Sequence, residues 1–457
     1  MSRLSLLGAL RDPNRAHLPF LLSGLFFALA GGFSLAVLLP IDAIGGFGLG
    51  PRWPALAQVH GHVQTVGFAG LIVVGVALRV APRFAAAPAP RPALVVALYT
   101  TMVAAVALRS LGQALSESEV LRGVMAVGAW LEVAAAIVFA AALWPVGRRA
   151  LRARDPLLLM IAGAVFWFLM QSLLGAIWLT EAAADGQATL STRRDATLVF
   201  LQVQGFLAVF VVGVAWRVLP VFGGGAGAPR LAVWVATVLI QAGIATTVAS
   251  LIWWAEAGDR LWALENIGLL SVAAGWCVGV LVSRPWRRPQ RLRPVVQPLG
   301  RLLQMAMGWL LVGAGLSAFF ALRGLVQERG LAGPEMDAVR HLISLGVVFS
   351  AIVAMAHLVL PEFGLERIRV RAVGRRALIF GVGISAVAMT RAAPGVADLT
   401  TTRSDYWHMA GSGVLGFVLI GWFAFLVVRV VVRRPMLLTE VRQPVAPASA
   451  GEGLSSD

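Results

Sequence analysis

Apolar stretches of roughly 20 residues recur along the whole chain, separated by short runs rich in arginine, proline, glycine or acidic residues. Twelve are present, at 18–41, 57–80, 92–111, 121–146, 156–180, 196–219, 230–254, 261–283, 299–322, 338–360, 375–393 and 405–432. At 1.5 Å per residue a helix of this length crosses roughly 30 Å of hydrocarbon, so each stretch predicts one membrane-spanning α-helix. The predicted fold class is therefore all-α, a polytopic membrane protein with a single integral domain over 1–434. Residues 435–457 are polar and predict a disordered tail.

A longer period runs through these helices. Gly67 is followed by Pro82 and Phe84, Gly205 by Pro220 and Phe222, and Gly346 by Pro361 and Phe363, always at one spacing. Corresponding positions are offset by 138 and then 141 residues, the length of about four membrane helices with their loops. Three four-helix units are expected, roughly 18–146, 156–283 and 299–432. Superimposing them places His62 on His341, with Phe200 in the same slot of the second unit, and places Gln64 on Gln202.

Composition agrees with this class: 59% of residues are hydrophobic, 13% are charged and mean hydropathy is +0.82. Cys277 is the lone cysteine, so no disulfide is expected. The first apolar stretch is too long for a signal-peptide core and reads as a spanning helix. All 38 basic residues are arginines, and 27 of them fall in the N-terminus, the even-numbered turns and the tail, against 11 in the odd-numbered turns. Acidic residues are biased the opposite way. By the positive-inside rule both termini are cytoplasmic, in what reads as a bacterial inner membrane. The net charge of +16 then needs only anionic lipid headgroups as its partner. The basic clusters are short turns without interleaved stacking aromatics, which argues against nucleic-acid binding. Trp53, Trp178, Trp253, Trp254 and Trp407 fall near predicted outer helix ends, as an aromatic belt requires.

This orientation puts His60, His62, His341 and His408 in the first turns of the second, tenth and twelfth helices, all toward the outer leaflet. His17 and His357 fall at the inner edge, and His17 is expected in solvent. A neutral imidazole nitrogen is a good donor to heme iron or copper when the other nitrogen is oriented by an acceptor, so the matched pair His62 and His341 is the leading candidate for a cofactor. His60 is a further cofactor and metal candidate, but His60 and His62 lie about 200° apart around a helix axis and cannot both face one site, so one is expected to bind a cofactor while the other meets a different metal, a neighbour or solvent. His408, beside Met409, is a further candidate for copper. Glu132 is an acid within a span and must be neutralised, paired or placed in a wet cavity. Gln64, Gln202 and Gln204 are expected to bridge helices or to meet a cofactor edge.

The segments HGHVQTVGFAGLIVVGVALRVAPRF at 60–84 and RHLISLGVVFSAIVAMAHLVLPEFG at 340–364 resemble the NnrS family, a relative of subunit I of the heme–copper oxidases and nitric oxide reductases. The resemblance implies three four-helix arcs around a pseudo-threefold axis. It also implies a b-type heme held near the outer face by His62 and His341, copper as a further metal, and a role in nitric oxide tolerance or denitrification-linked metabolism. Nitric oxide would be a ligand, and an electron-transfer protein a partner. One departure is plain: the sixth and seventh helices carry no histidine, so the second metal of an oxidase has no ligands there. The residues alone leave two other classes open, a transporter or permease using the helix ring as a pathway and an assembly factor without a cofactor.

Overall fold

A computed structural model of the chain describes residues 6–46, 48–222, 227–258, 261–286, 297–356, 370–397 and 403–432. His357, Pro361, Phe363 and the tail from 435 onward lie outside these. Among the described residues, twelve helices are long and apolar enough to cross a membrane. They are α1 (His17–Gly45), α2 (Gly50–Phe84), α3 (Pro92–Ala114), α4 (Glu119–Ala153), α5 (Pro156–Ala184), α6 (Thr192–Pro220), α7 (Arg230–Ala257), α8 (Trp262–Ser283), α9 (Pro298–Val326), α10 (Gly333–Ala356), α11 (Gly374–Val396) and α12 (Asp405–Arg429). Helix starts follow local chemistry. The Ser118 hydroxyl accepts from Leu121 N–H at the head of α4, and Asp155 accepts from Leu157 and Leu158 N–H at the head of α5, where Pro156 sits in the first turn. Several helices outrun the apolar stretch that predicts them. In α4 the added residues are the arginine-bearing turns after Val146, where charge already faces headgroups and the backbone has no reason to leave the helix.

Three helices are set apart by burial. In α2, α6 and α10 the apolar window is 83, 89 and 72% buried, against 39–50% for the others, so these three form the centre and the rest surround them. The central three touch one another pairwise, and α12 packs on α1 to close the surround. Large apolar side chains such as Phe26, Ile137, Phe166, Phe319 and Phe425 remain exposed on the outer helices and supply the lipid-facing surface.

The repeat has a structural counterpart in the backbone. Each central helix widens into a π-helical segment at the same place, Val63–Gly70 in α2, Leu201–Ala208 in α6 and Leu342–Phe349 in α10. His62, Phe200 and His341 are the residues immediately before these segments. π-Helical turns are rare and concentrate at functional sites. Their pairwise contact puts the three widened turns together at the middle of the molecule.

The repeated glycines lie inside these segments and let the first helix of each unit approach. A Cβ built on Gly205 would lie 2.9 Å from Cβ of Trp167, and one on Gly346 would lie 2.7 Å from Cγ of Trp309. On Gly67 it would meet Val106 at 3.0 Å and Phe27 at 3.3 Å. The two indoles then reach the third helix of their unit: Trp167 Nε1 donates to Gln241 Oε1 at 2.8 Å, and Trp309 Nε1 to Ser385 Oγ at 3.1 Å. Without that partner the indole N–H of buried Trp167 would carry a desolvation cost of about 1–3 kcal/mol, and that of half-buried Trp309 a smaller one.

Overpacking a site of this kind costs about 1–3 kcal/mol. Gly346→Ala is therefore expected to lower the thermal unfolding midpoint of the purified protein in detergent. Gly308→Ala, one residue from Trp309 but with open space around its Cα, is expected to leave the midpoint unchanged or raise it slightly. Equal midpoints for Gly346→Ala and the parent would contradict the close approach.

Candidate functional site

The histidines of α2 and α10 meet in one cavity. His60 and His62 from α2 and His341 from α10 line it, with Arg109 of α3, Asp195 of α6, Arg340 of α10 and Arg391 of α11. The apolar side includes Phe33, Phe68 and Phe349, which pack on one another with ring centroids 5.6–6.3 Å apart. The cavity holds about 180 Å³ of free space, room for roughly a dozen water molecules.

Two of the imidazoles are oriented by backbone carbonyls. His60 Nδ1 lies 2.9 Å from the carbonyl oxygen of Gly32, which closes a further π-helical turn in α1, Ala28–Gly32. The backbone of Gly32 departs from the helix, with ψ −85°, where the turn hands over to the rest of α1. His341 Nδ1 lies 2.9 Å from the carbonyl oxygen of Asp337 and 3.2 Å from its Oδ2. In each ring, donation from Nδ1–H leaves Nε2 with its lone pair, the tautomer that metal-ligating histidines use. Both rings border the same cavity. Arg391, whose Nη2 donates to Ala36 O at 2.9 Å, and Arg340, paired with Asp337, stand on the same wall.

His62 has different company. Its Nε2 lies 3.4 Å from Glu132 Oε2, and Arg109 Nη1 lies 3.4 Å from the same oxygen. Both charged side chains are buried, Glu132 to 1% exposure and Arg109 to 5%. The other carboxylate oxygen accepts from Gln171 Nε2 at 2.7 Å. From there the chain runs on, with Gln202 Nε2 donating to Gln171 Oε1 at 3.1 Å and Thr65 Oγ1 donating to Gln202 Oε1 at 2.7 Å. One polar network thus links α2, α3, α4, α5 and α6. Small residues admit it: a Cβ on Gly128 would lie 2.3 Å from the backbone nitrogen of Arg109, so only glycine lets α4 press onto α3 at this level.

The predicted site residues fall as follows. His60, His62 and His341 come together, and the rings of His60 and His62 turn to different helices, as their angular separation requires. His408 is exposed and lies outside the cavity lining. Among the described residues no three His, Cys, Asp or Glu side chains come close enough to hold a metal ion. His17, expected in solvent, is buried to 4% exposure, because α1 begins at this residue and carries it under the central helices. Gln202 bridges helices, and Gln64 packs against Gly32. Sequence reasoning missed Arg109, Asp195, Arg340 and Arg391 as cavity residues. All four stand near helix ends, where they count as orientation charges. Arg109, Arg340 and Arg391 each stand two residues inside a predicted apolar stretch, and that placement is the signal that could have singled them out. No family model matches the chain, and no curated protein matches it.

Breaking a buried ion pair from one side costs about 3–5 kcal/mol, because the remaining charge stays in a low-dielectric interior. Glu132→Leu is expected to lose stability on that scale in detergent denaturation. The double variant Glu132→Leu/Arg109→Met is expected to lose clearly less than the sum of the two single changes. Additive losses would show that the two groups do not act as a pair.

Proposed function

We propose that this chain is a heme-binding protein of a bacterial cytoplasmic membrane, resembling the NnrS family and acting in nitric oxide stress or nitrogen-oxide metabolism. The observation that carries the reading is the pair of imidazoles, His60 and His341, each held through Nδ1 by a backbone carbonyl and each bordering the same cavity. Repeat matching points to His62 as the partner of His341, whereas the side-chain geometry favours His60. His62 Nε2 is turned to Glu132 instead.

The lining carries the groups that a planar, partly apolar, dianionic macrocycle needs, and the cavity, with about 180 Å³ of free space, would widen to admit it. Two imidazole nitrogens would hold the iron, the phenylalanine wall would take the ring edge, and Arg340 and Arg391 would pair with carboxylate substituents. Bound there, heme would supply one-electron redox chemistry and an iron with affinity for nitric oxide. Two axial imidazoles leave no open position, and α6 and α7 carry no histidine for a second metal. The residues therefore favour electron transfer or ligand sensing over turnover. The wider reading of three arcs about a pseudo-threefold axis, like that of oxidase subunit I, draws support from the 138 and 141 offsets and the matched π-helical segments. Cytoplasmic termini rest on the arginine asymmetry.

The test is heme content per chain, measured after purification from heme-replete cells. His341→Ala and His60→Ala are expected to lose most of it, since removing one axial bond also opens the site to water. His408→Ala is expected to keep it, and His62→Ala to keep it at some cost in stability. Full heme content in His341→Ala, or a colourless parent protein, would overturn the proposal.

A further inference from the structure

A second and larger cavity, with about 370 Å³ of free space, lies beside the first and is lined from α6 through α12. The two share Asp195, Val199, Val203 and Arg340 as a common wall. Its rim carries the exposed residues Thr192, Gly333 and Pro334, which stand at the first turns of α6 and α10, so it opens at that end of the bundle. Its depth is set by Gln204, twelve residues along α6 from Thr192, or roughly 18 Å of helix. That reach is about half the thickness of the hydrocarbon.

Polar groups at this depth need partners. Gln204 is 7% exposed and Thr247 1% exposed, both line the cavity, and neither Gln204 Oε1 nor Thr247 Oγ1 has a hydrogen-bond partner among the described residues. Buried Ser317 adds a third polar side chain to the lining. An oxygen left unsatisfied in a membrane interior costs free energy, and a space of this volume, with these polar groups set in an otherwise largely apolar wall, satisfies it with water held at those groups. The charges lining the space have one predominant sign. Asp195, Glu265 and Asp337 stand against the single guanidinium of Arg340, where the neighbouring histidine cavity has three arginines to one aspartate.

We propose that this cavity is a hydrated vestibule that draws water and small cations from one membrane surface to mid-bilayer depth, ending at the wall it shares with the histidine cavity. The inference does not depend on heme. A carboxylate-lined, low-dielectric mouth concentrates cations and repels anions, and the oxygens of Gln204, Thr247 and Ser317 supply hydration partners further in.

The experiment uses the full chain with Cys277→Ala as background and single cysteines at Thr247→Cys and Ser317→Cys. Impermeant methanethiosulfonates, one cationic and one anionic, together with Ag⁺ as a cation small enough for a narrow mouth, are applied to right-side-out and to inverted membrane vesicles. Size-exclusion profiles establish that each variant is folded. Both positions are expected to react from one side only, the outer side if the arginine asymmetry sets the orientation. The cationic reagent is expected to react about tenfold faster than the anionic one, relative to their rates with a free thiol. Ile240→Cys, fully buried on α7, is expected to stay unreactive. Glu265→Gln in the Thr247→Cys background is expected to shrink the cation preference. No reaction at either cysteine with any probe, equal reaction from both sides, or equal rates for the two charges would overturn the proposal. Reaction confined to the inner side would leave the vestibule standing and reverse the orientation.

Discussion

The close approach of three glycine-bearing helices to the first helix of their own units is the constraint on which this structure depends. Gly205 and Gly346 sit against Trp167 and Trp309 at distances where a methyl group forces something to shift, and Gly67 sits against Phe27 and Val106 at distances that a methyl group would make tight. The outer helices can therefore close around α2, α6 and α10 and remove them almost wholly from lipid. Lipid tolerates neither unpaired backbone groups nor stray polar side chains. A fully enclosed helix escapes that restriction, because its neighbours can supply hydrogen bonds. The long π-helical segments occur on these three helices, beside the glycines that make the enclosure possible, and a shorter one lies in α1 where it meets His60.

Enclosure also explains where the polar residues are and how they divide. On one side of α2, Glu132 gathers Arg109, His62 and Gln171, and the amides of Gln171 and Gln202 carry the network to Thr65. An ion pair this deep is held by geometry and by satisfied hydrogen bonds, since its Coulomb attraction is largely offset by lost hydration. On the other side, His60 looks toward α1 and α10 and shares a wall with His341. The second unit carries Phe200 in the matching slot, which adds no ligand. The sequence repeat thus provides three matching slots, and side-chain choice puts a histidine in only two of them.

Much of the architecture was legible in the sequence, because span length and repeat period are properties of the chain itself. Twelve apolar stretches became twelve helices, and the offsets of Gly67, Gly205 and Gly346 reappeared as the offsets of the π-helical segments. The π-helical turns themselves were not legible, since nothing in VQTVGFAG or LISLGVVF departs from ordinary apolar helix. They accompany tertiary packing. Superposition on the repeat could bring His62 and His341 to one depth, but depth does not fix the direction of a ring. A neighbouring carbonyl at Gly32 and a carboxylate at Glu132 separate the two α2 histidines, and both come from other helices. The burial of His17 was hidden for a related reason, because a residue at the start of a span reads as interfacial until its neighbours are known.

The central claim is that one residue on α2 and one on α10 hold a single iron between two imidazoles. Low-temperature electron paramagnetic resonance of the oxidised, purified protein addresses it most directly, because the spin state of ferric heme reports its axial ligands. The account predicts a low-spin ferric signal of the bis-imidazole type, converted to a high-spin signal in whatever heme His60→Gly retains. A wholly high-spin signal in the parent protein, or a bis-imidazole signal unchanged by His60→Gly, would contradict it.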